Sequence, residues 1–196
     1  MSLDDVKKLK ELTGVGLSDA KKALTEAEGN FDKALEAMRK KGLTRAEKKG
    51  EREAREGLVD SYVHSGRIGV LVEINCETDF VARTDDFKNL VHDVALHVSA
   101  TAPEYISLED VSDKEKERVI AEFSEKAKSE GKPDNMIEKI VGGQVQKYFA
   151  EKTLLEQPFI KNPDQTVGDL LKDHIARLGE NMVIRQIKRV ELGVSD

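Results

Sequence analysis

The stretch Glu73-Ile-Asn-Cys-Glu-Thr-Asp-Phe-Val-Ala-Arg83 decides how the rest of this chain folds around it. An apolar strand runs into it, and the alternation of side chains stops at Thr78–Val81, where the aromatic Phe80 follows an acid. Phenylalanine is normally buried, whereas a short segment between a strand and a helix is normally a surface loop. Phe80 therefore either folds back into its own core, as an isolated phenylalanine usually does, or inserts into a partner.

Three strands are predicted around this stretch. Residues 58–65 and 67–75 are rich in strand-forming residues and are joined by the turn signal Ser65-Gly66. The second run has apolar side chains on both sides, which is typical of a central strand. A third run, Met182–Glu191, follows the last predicted helix. These strands can pair into one antiparallel sheet.

Helical spacing of apolar residues predicts helices before, between and after these strands in the chain. Three short helices in residues 1–42, with Gly42 just past the end of the third, indicate a compact bundle similar to a ubiquitin-associated fold. Further helices are expected from about Asp85, as a hairpin that begins with the capping box Ser112–Glu115, and after the cap Thr166. The fold class is α+β, a three-stranded antiparallel sheet packed with helices and a helical hairpin.

Nine of the fifteen residues 43–57 are charged, with mixed signs and no apolar face. We expect a solvated linker, helical only transiently, with few contacts between the modules it joins. The predicted organisation is an N-terminal module at 1–42, the charged linker at 43–57, and a core domain at 58–196 that carries dimerisation and function.

Composition limits the class of protein. Of the 196 residues, 38% are hydrophobic and 36% are charged, and no apolar stretch approaches the roughly 18 residues that a membrane-spanning helix needs. The first residues show no basic segment followed by an apolar one, so we expect no secretory signal. Cys76, the one cysteine, cannot form an internal disulfide, which fits a reducing cytoplasm. We therefore expect a cytoplasmic protein without membrane contact.

The charge distribution favours a protein partner. The first 57 residues contain 14 basic and 12 acidic side chains, and the remainder contains 18 and 26, which gives the net charge of −6. Proteins that bind nucleic acid usually present a strongly basic face, and this N-terminal excess is too small for one. We expect no direct nucleic-acid partner.

Signals for chemistry are weak throughout. No Walker-type glycine-rich run occurs, so we expect no nucleotide bound by the chain itself. His92 and His97 are five residues apart, about 140° around a helix, and so diverge instead of sharing a metal. Cys76 with a histidine as base would make an enzyme, but a cysteine in a strand is usually a small buried apolar residue. Gly14 and Gly16 could cradle an anion, although glycines at such a turn more often relieve the backbone.

A second glycine feature, Gly142-Gly143, lies inside a predicted helix and lowers its helix propensity. The interpretation we favour is close packing against another backbone, and the alternative is contact with a partner.

Two motifs resemble those of a known family. The stretch Glu73–Arg83 resembles the second signature of bacterial translation elongation factor Ts, position by position. Leu9–Leu24 resembles the first signature, with Lys10 where the family usually carries arginine. Lys10 keeps the charge of that arginine without its planar fork of donors. The resemblance extends over essentially the full chain and is to a short, single-core form, since longer members carry two core units.

The resemblance implies a function. Members of the family are guanine-nucleotide exchange factors that bind elongation factor Tu carrying GDP, displace Mg²⁺ and promote GDP release during translation elongation. They do no covalent chemistry, so the resemblance implies neither an enzyme nor a cofactor. Two alternatives remain: a pure adaptor, which would leave Phe80 unexplained, and an enzyme that uses Cys76.

The resemblance also implies site residues. Thr78, Asp79, Phe80 and Val81 match the element that dislocates Mg²⁺ from elongation factor Tu, with Phe80 as a wedge between helices of the GTPase domain and Asp79 holding the wedge through a polar contact. The N-terminal positions that match residues gripping the same domain are Lys10, Leu17 and Lys21, with Lys22 as a weaker candidate.

A homodimer is expected for a different reason. The central strand Ile68–Ile74 presents apolar side chains to both faces of the sheet, and one set of helices does not plainly cover both. We expect the open face to pack against its copy in a second chain.

Overall fold

The computed structural model describes residues 2–194. Its helices are α1 (Leu3–Thr13), α2 (Leu17–Glu26), α3 (Phe31–Glu47), α4 (Asp79–Ala82), α5 (Asp85–Thr101), α6 (Asp113–Ser129), α7 (Asp134–Lys152) and α8 (Val167–Leu178). Its strands are β1 (Glu56–His64), β2 (Ile68–Cys76), β3 (Pro158–Phe159), β4 (Asn162–Thr166) and β5 (Met182–Glu191). Short 3₁₀ turns lie at Leu108–Asp110 and Leu154–Glu156.

The main sheet has the order β1-β2-β5, and both pairings are antiparallel. Val72 of the central strand lies between Asp60 of β1 and Ile187 of β5 and is fully buried. The preceding residue, Leu71, lies on the other face of the sheet and is 51% exposed. The predicted three-stranded antiparallel sheet and α+β class are confirmed. The small β3–β4 hairpin was not predicted, because its strands are too short to show alternation.

One face of the sheet supplies the main core. Helix α5 lies across β1 and β2, and α8 closes the far side. The side chains that meet there are apolar and fully or almost fully buried; they include Val72, Ile74, Phe87, Leu90 and Val94. Burial of such side chains, at about 25 cal/mol per Å² of apolar surface, holds the strands and helices together.

The N-terminal helices form the predicted three-helix bundle around a second, smaller core. Its centre is made by Leu9 of α1, Leu24 of α2 and Met38 of α3. Gly14 ends α1 with a φ of +64°, and a Cβ at this glycine would lie 2.8 Å from the Cβ of Arg177. The positive φ and the close approach of α8 both require a glycine at position 14, which agrees with the prediction that this glycine relieves the backbone at the turn.

The prediction that the third helix stops just before Gly42 is wrong, because the helix continues to Glu47. Helix α3 packs against α8, where a Cβ at Gly42 would lie 3.3 Å from the Cβ of Ala176. One turn later, Ala46 is 3% exposed and joins the main core. This tertiary packing outweighs the roughly 1 kcal/mol by which glycine disfavours a helix interior.

The segment after α3 also contacts the core, so the expectation of few contacts between the modules is wrong. The Asn181 side-chain amide donates hydrogen bonds to the carbonyl oxygens of Gly50 (3.3 Å) and Arg52 (2.6 Å). The charged sequence of this segment does not reveal these contacts, because they are made by backbone carbonyl groups, which every residue carries. The division into units at 1–42, 43–57 and 58–196 stays a prediction.

Helices α6 and α7 form the predicted helical hairpin. A Cβ built at Gly142 or Gly143 would meet no atom within 4 Å among the described residues, so close backbone packing does not explain this pair. Gly142 instead lines a surface groove of about 550 Å³ together with Ile120 and Val141. None of the helices in the described part of the chain is both long and apolar enough to cross a bilayer.

His97 is a buried structural residue, and His92 points elsewhere, as predicted. The N–H of Ile160 donates to His97 Nδ1 (3.2 Å), so His97 Nε2 carries the proton and donates to Gln157 Oε1 (2.9 Å). His92 is half exposed and pairs with Asp60 at 3.1 Å. Burial lowers the pKa of His97, with the bond to Gln157 opposing that effect, and burial likewise lowers the pKa of His174.

These lowered values predict a pH dependence of stability. Unfolding restores the ordinary histidine pKa near 6.5, so below that pH the unfolded chain takes up protons that the folded chain resists. The free energy of unfolding should therefore fall as the pH drops from about 6.5 towards 5, above the range in which carboxylates titrate. His97→Gln should make this slope shallower, since it removes the contribution of one of the two buried histidines. Urea titrations at several pH values measure the slope, and equal slopes for both proteins would contradict the assignment.

Candidate partner-binding site

Helix α4 is a single turn inserted between β2 and α5. Thr78 caps it, and its hydroxyl oxygen accepts a hydrogen bond from the N–H of Val81 (3.4 Å). Thr84 caps α5 by accepting from Phe87 N (3.3 Å), and it donates back to the carbonyl oxygen of Val81 (2.8 Å). Two threonine caps in close succession thus define the backbone of the segment that carries Phe80.

Adjacent side chains of this turn face opposite environments. Val81 is 6% exposed and belongs to the main core, whereas Phe80 is 78% exposed. Asp79 lies on the solvent side and pairs with Arg83 at 2.8 Å. Such exposed ion pairs contribute at most about 1 kcal/mol, so Asp79 can exchange this contact for one to a partner at low cost. Thr78 and Thr84, not Asp79, provide the caps.

A carboxylate from the other end of the chain fixes the start of this turn. Glu180, between α8 and β5, accepts hydrogen bonds from the backbone N–H groups of Glu77 (3.1 Å) and Thr78 (3.0 Å). Its other oxygen accepts from the Thr78 hydroxyl at 2.6 Å. Sequence reasoning missed Glu180, because a polar residue after the helix stop at Gly179 gives no periodic signal.

Asn181 extends this polar cluster. It is 2% exposed, and its backbone N–H donates to Glu77 Oε1 at 2.6 Å. The same carboxylate oxygen lies 3.5 Å from the guanidinium of Arg52. A buried asparagine whose backbone N–H and side-chain NH₂ are both paired indicates a defined local arrangement, since unpaired buried donors would be costly.

Cys76 is a buried thiol, as predicted for a cysteine in a strand. Its Sγ donates to the carbonyl oxygen of Thr78 at 3.1 Å. Burial raises the pKa of Cys76 to about 11, and the carboxylate of Glu180 acts in the same direction. The thiol is therefore protonated at neutral pH and is a poor nucleophile. The described residues contain no cluster of three or more His, Cys, Asp or Glu side chains that could hold a metal ion.

The N-terminal candidates fall into two places. Leu17, 53% exposed, and Lys21 line one shallow groove of about 380 Å³ with Leu3, which is 80% exposed. Lys10 is exposed on α1 but does not line this groove. Lys22 forms an exposed ion pair with Glu26 at 3.8 Å. The structure thus brings Leu17 and Lys21 together one helical turn apart on α2.

Comparison with known proteins agrees with the resemblance of the two signatures. A family model described as Elongation factor TS matches residues 3–194. The Elongation factor Ts of Alkaliphilus oremlandii is 54% identical over 190 residues, which cover 96% of this chain and 87% of that protein. The Elongation factor Ts of Moorella thermoacetica is 53% identical over 194 residues, 96% of this chain and 94% of the relative. That of a Thermoanaerobacter species is 53% identical over 196 residues, with 98% and 95% covered.

The opposite burial of Phe80 and Val81 predicts opposite effects on stability. Val81→Ala should lower the free energy of unfolding by about 2 kcal/mol, because it removes buried methyl groups and leaves a cavity. Phe80→Ala should change it by less than about 0.5 kcal/mol, since the ring is largely in water already. Urea denaturation followed by circular dichroism measures both. A larger loss for Phe80→Ala than for Val81→Ala would place the ring in the home core.

Proposed function

Because this chain belongs to the elongation factor Ts family, we propose that it is a guanine-nucleotide exchange factor of translation elongation that acts in the cytoplasm. It binds elongation factor Tu carrying GDP, displaces Mg²⁺ and promotes release of the nucleotide. It performs no covalent chemistry of its own.

The observation that carries the proposal is the position of Phe80. An aromatic ring that is 78% exposed sits on a turn whose backbone is hydrogen-bonded on several sides. Burial of such a side chain is worth about 1.5–3 kcal/mol, and the home fold does not use it. The ring is therefore available to a partner, in an orientation that is already defined before binding.

The mechanism rests on linkage. An exchange factor accelerates release by binding the nucleotide-free GTPase more tightly than the GDP-bound form, and GDP then weakens the factor's binding by the same ratio. Phe80 would wedge between helices of the GTPase domain and shift the groups that hold Mg²⁺. Loss of the ion removes charge that neutralises the GDP phosphates, so the nucleotide dissociates faster.

The neighbours of Phe80 have supporting parts in this proposal. Asp79 leaves its weak pair with Arg83 for a polar contact with the partner. Thr78 caps the turn. The Val81 side chain is buried in the main core of this chain, so it anchors the turn and does not contact the partner. Because the turn is anchored, insertion of Phe80 would displace groups of the GTPase and would not deform the turn itself.

The N-terminal module provides the second part of the grip. We assign Leu17 and Lys21, on one groove, and Lys10, on the neighbouring helix, to contacts with the same domain. Packing of α1 and α3 against α8 supports a second contact that forms at high effective concentration, without the entropy loss of a flexible tether.

A homodimer is the proposed assembly, through the face of the sheet that the helices leave uncovered. Val63, Gly69 and Val190 lie side by side across the three strands, with the two valines 66% and 68% exposed. Val59 and Leu71 on the same face are 61% and 51% exposed. On β2 itself only Leu71 is apolar on this side, so the edge strands supply the rest of the patch. A clustered apolar surface of this kind marks an interaction site in soluble proteins, and a second copy is the occupant proposed here.

Phe80→Ala tests the wedge directly. The maximal rate of GDP release from elongation factor Tu should fall by about tenfold to a hundredfold, the kinetic equivalent of losing the burial of one aromatic ring. The control is Ile120→Ala, another exposed apolar residue, which lies on the helical hairpin and should leave the rate unchanged. The measurement is stopped-flow dissociation of a fluorescent GDP analogue. No acceleration by the wild-type chain would favour an adaptor.

Leu71→Glu tests the dimer. Sedimentation of the wild type at micromolar concentration should give twice the 21.8 kDa mass of one chain, in the presence of reducing agent. Charges placed on the outer face should convert it to monomer, since two carboxylates would be buried against each other. Ile120→Glu, with a similarly exposed starting residue, should remain dimeric. A monomeric wild type would refute the dimer.

A further inference from the structure

The turn between α8 and β5 forms hydrogen bonds both to the Phe80 turn and to residues 50–52, which follow α3. We infer that Glu180 and Asn181 in this turn are positioning residues for nucleotide exchange, which hold the Phe80 turn in a fixed place relative to the N-terminal module. The inference rests on the proposed function for its kinetic consequence, and on hydrogen bonds of the free protein for its geometry.

Glu180 controls the direction of the Thr78 hydroxyl. A threonine hydroxyl has one hydrogen to donate, and here Glu180 Oε1 accepts it at 2.6 Å. The lone pairs of the hydroxyl oxygen are thereby turned towards the N–H of Val81, which donates the capping bond. Without the carboxylate the hydroxyl can rotate, and the cap of α4 loses its fixed orientation.

Glu180 also fixes the peptide groups that lead into the turn. Its Oε2 accepts from two successive N–H groups, those of Glu77 and Thr78. Charge-assisted bonds of this type are about twice as strong as neutral ones. Because Phe80 follows Thr78 by only two residues, the orientation of these peptide planes sets the direction in which the ring projects.

Asn181 connects the same place to the segment that follows α3, the last helix of the N-terminal bundle. It donates from its backbone to Glu77 and from its side chain to the carbonyl oxygens of Gly50 and Arg52, just after α3. Helix α8, which ends directly before the turn, packs against Gly14 and Gly42. The N-terminal module, α8 and the Phe80 turn are therefore linked through consecutive residues of one short segment.

The cluster is suited to orientation more than to overall stability. Glu180 is half-buried at the rim, while the apolar contacts of α5 and β2 that hold the fold lie elsewhere. Removing the carboxylate leaves that apolar core complete. The expected loss is in the order of residues 77–82, which a measurement on the free protein can separate from unfolding.

The test compares Glu180→Ala and Glu180→Gln with Asp110→Asn. Asp110 is a matched control, because its carboxylate accepts from both the backbone N–H (2.7 Å) and the hydroxyl (3.1 Å) of Ser107, away from the Phe80 turn. Hydrogen exchange of the free proteins and stimulated GDP release from elongation factor Tu are measured for each. Thr78→Val and Thr78→Ser provide a second route that leaves Glu180 in place.

For Glu180→Ala, amide exchange in residues 77–82 should rise about tenfold, as expected for loss of a charge-assisted hydrogen bond. The maximal rate of GDP release should fall about tenfold, while the half-saturating concentration changes less than threefold. Glu180→Gln keeps one acceptor oxygen and should recover part of both effects. Thr78→Val removes only the hydroxyl contact, so it should change both readouts in the same direction as Glu180→Ala but by less, and Thr78→Ser, which keeps the hydroxyl, should recover part of that loss. Asp110→Asn should change neither readout.

Other outcomes overturn the inference. Unchanged exchange in residues 77–82 refutes the positioning role even where GDP release slows, and a rate that only follows the folded fraction shows a purely structural role. If Glu180→Ala does not fold, wild-type behaviour of Thr78→Val in both readouts refutes it equally. Failure of the wild-type chain to stimulate GDP release refutes the proposed function instead, and the exchange data then still decide whether Glu180 orders the turn.

Discussion

Burial of the inner face of β2 under α5 is the interaction on which the rest of the structure depends. Val72, Ile74 and Phe87 meet there with no exposed surface, so the end of β2 and the start of α5 are fixed to each other. Only a single turn, α4, fits between them. This turn buries both Val81 and Ala82 in the core, and Phe80 lies about 200° around the helix axis from Ala82, so it is directed outward. The exposed ring is a geometric consequence of the packing beneath it.

Helix α8 has an equivalent position on the other side of the core. It contributes Leu171 and Ile175 to the main core and at the same time receives the N-terminal bundle, with Arg177 against Gly14 and Ala176 against Gly42. The turn that follows it ends at the base of the Phe80 segment. Two surfaces that are about 60 residues apart in the chain are thus held by one helix and its C-terminal turn. Such rigidity would favour the proposed grip on two parts of one GTPase domain, because little conformational entropy remains to be lost on binding.

Much of the fold could be predicted, because its signals are local. Alternating apolar residues in 67–75 and 182–191, and caps such as Thr166 before α8, predicted the sheet and the main helices correctly. The helix end at Gly42 was predicted wrongly, because a glycine acts as a stop signal only where no tertiary contact outweighs its low propensity. For the candidate site, the motif points to Phe80, whose role stays a prediction, but neither Glu180 nor Asn181 has a local signal, since each contacts residues about 100 positions away or more.

The sequence by itself determined the family, the α+β class and the position of the Thr78–Val81 motif in the chain. Periodicity, capping residues and motif spacing are all read along the chain. Tertiary structure alone decided that Phe80 faces solvent while Val81 is buried, and that the charged segment after α3 docks on the core. It also decided which face of the sheet stays open. Each of these depends on which surfaces come together in space, and apolar burial and long-range hydrogen bonds settle that only once the whole chain has packed.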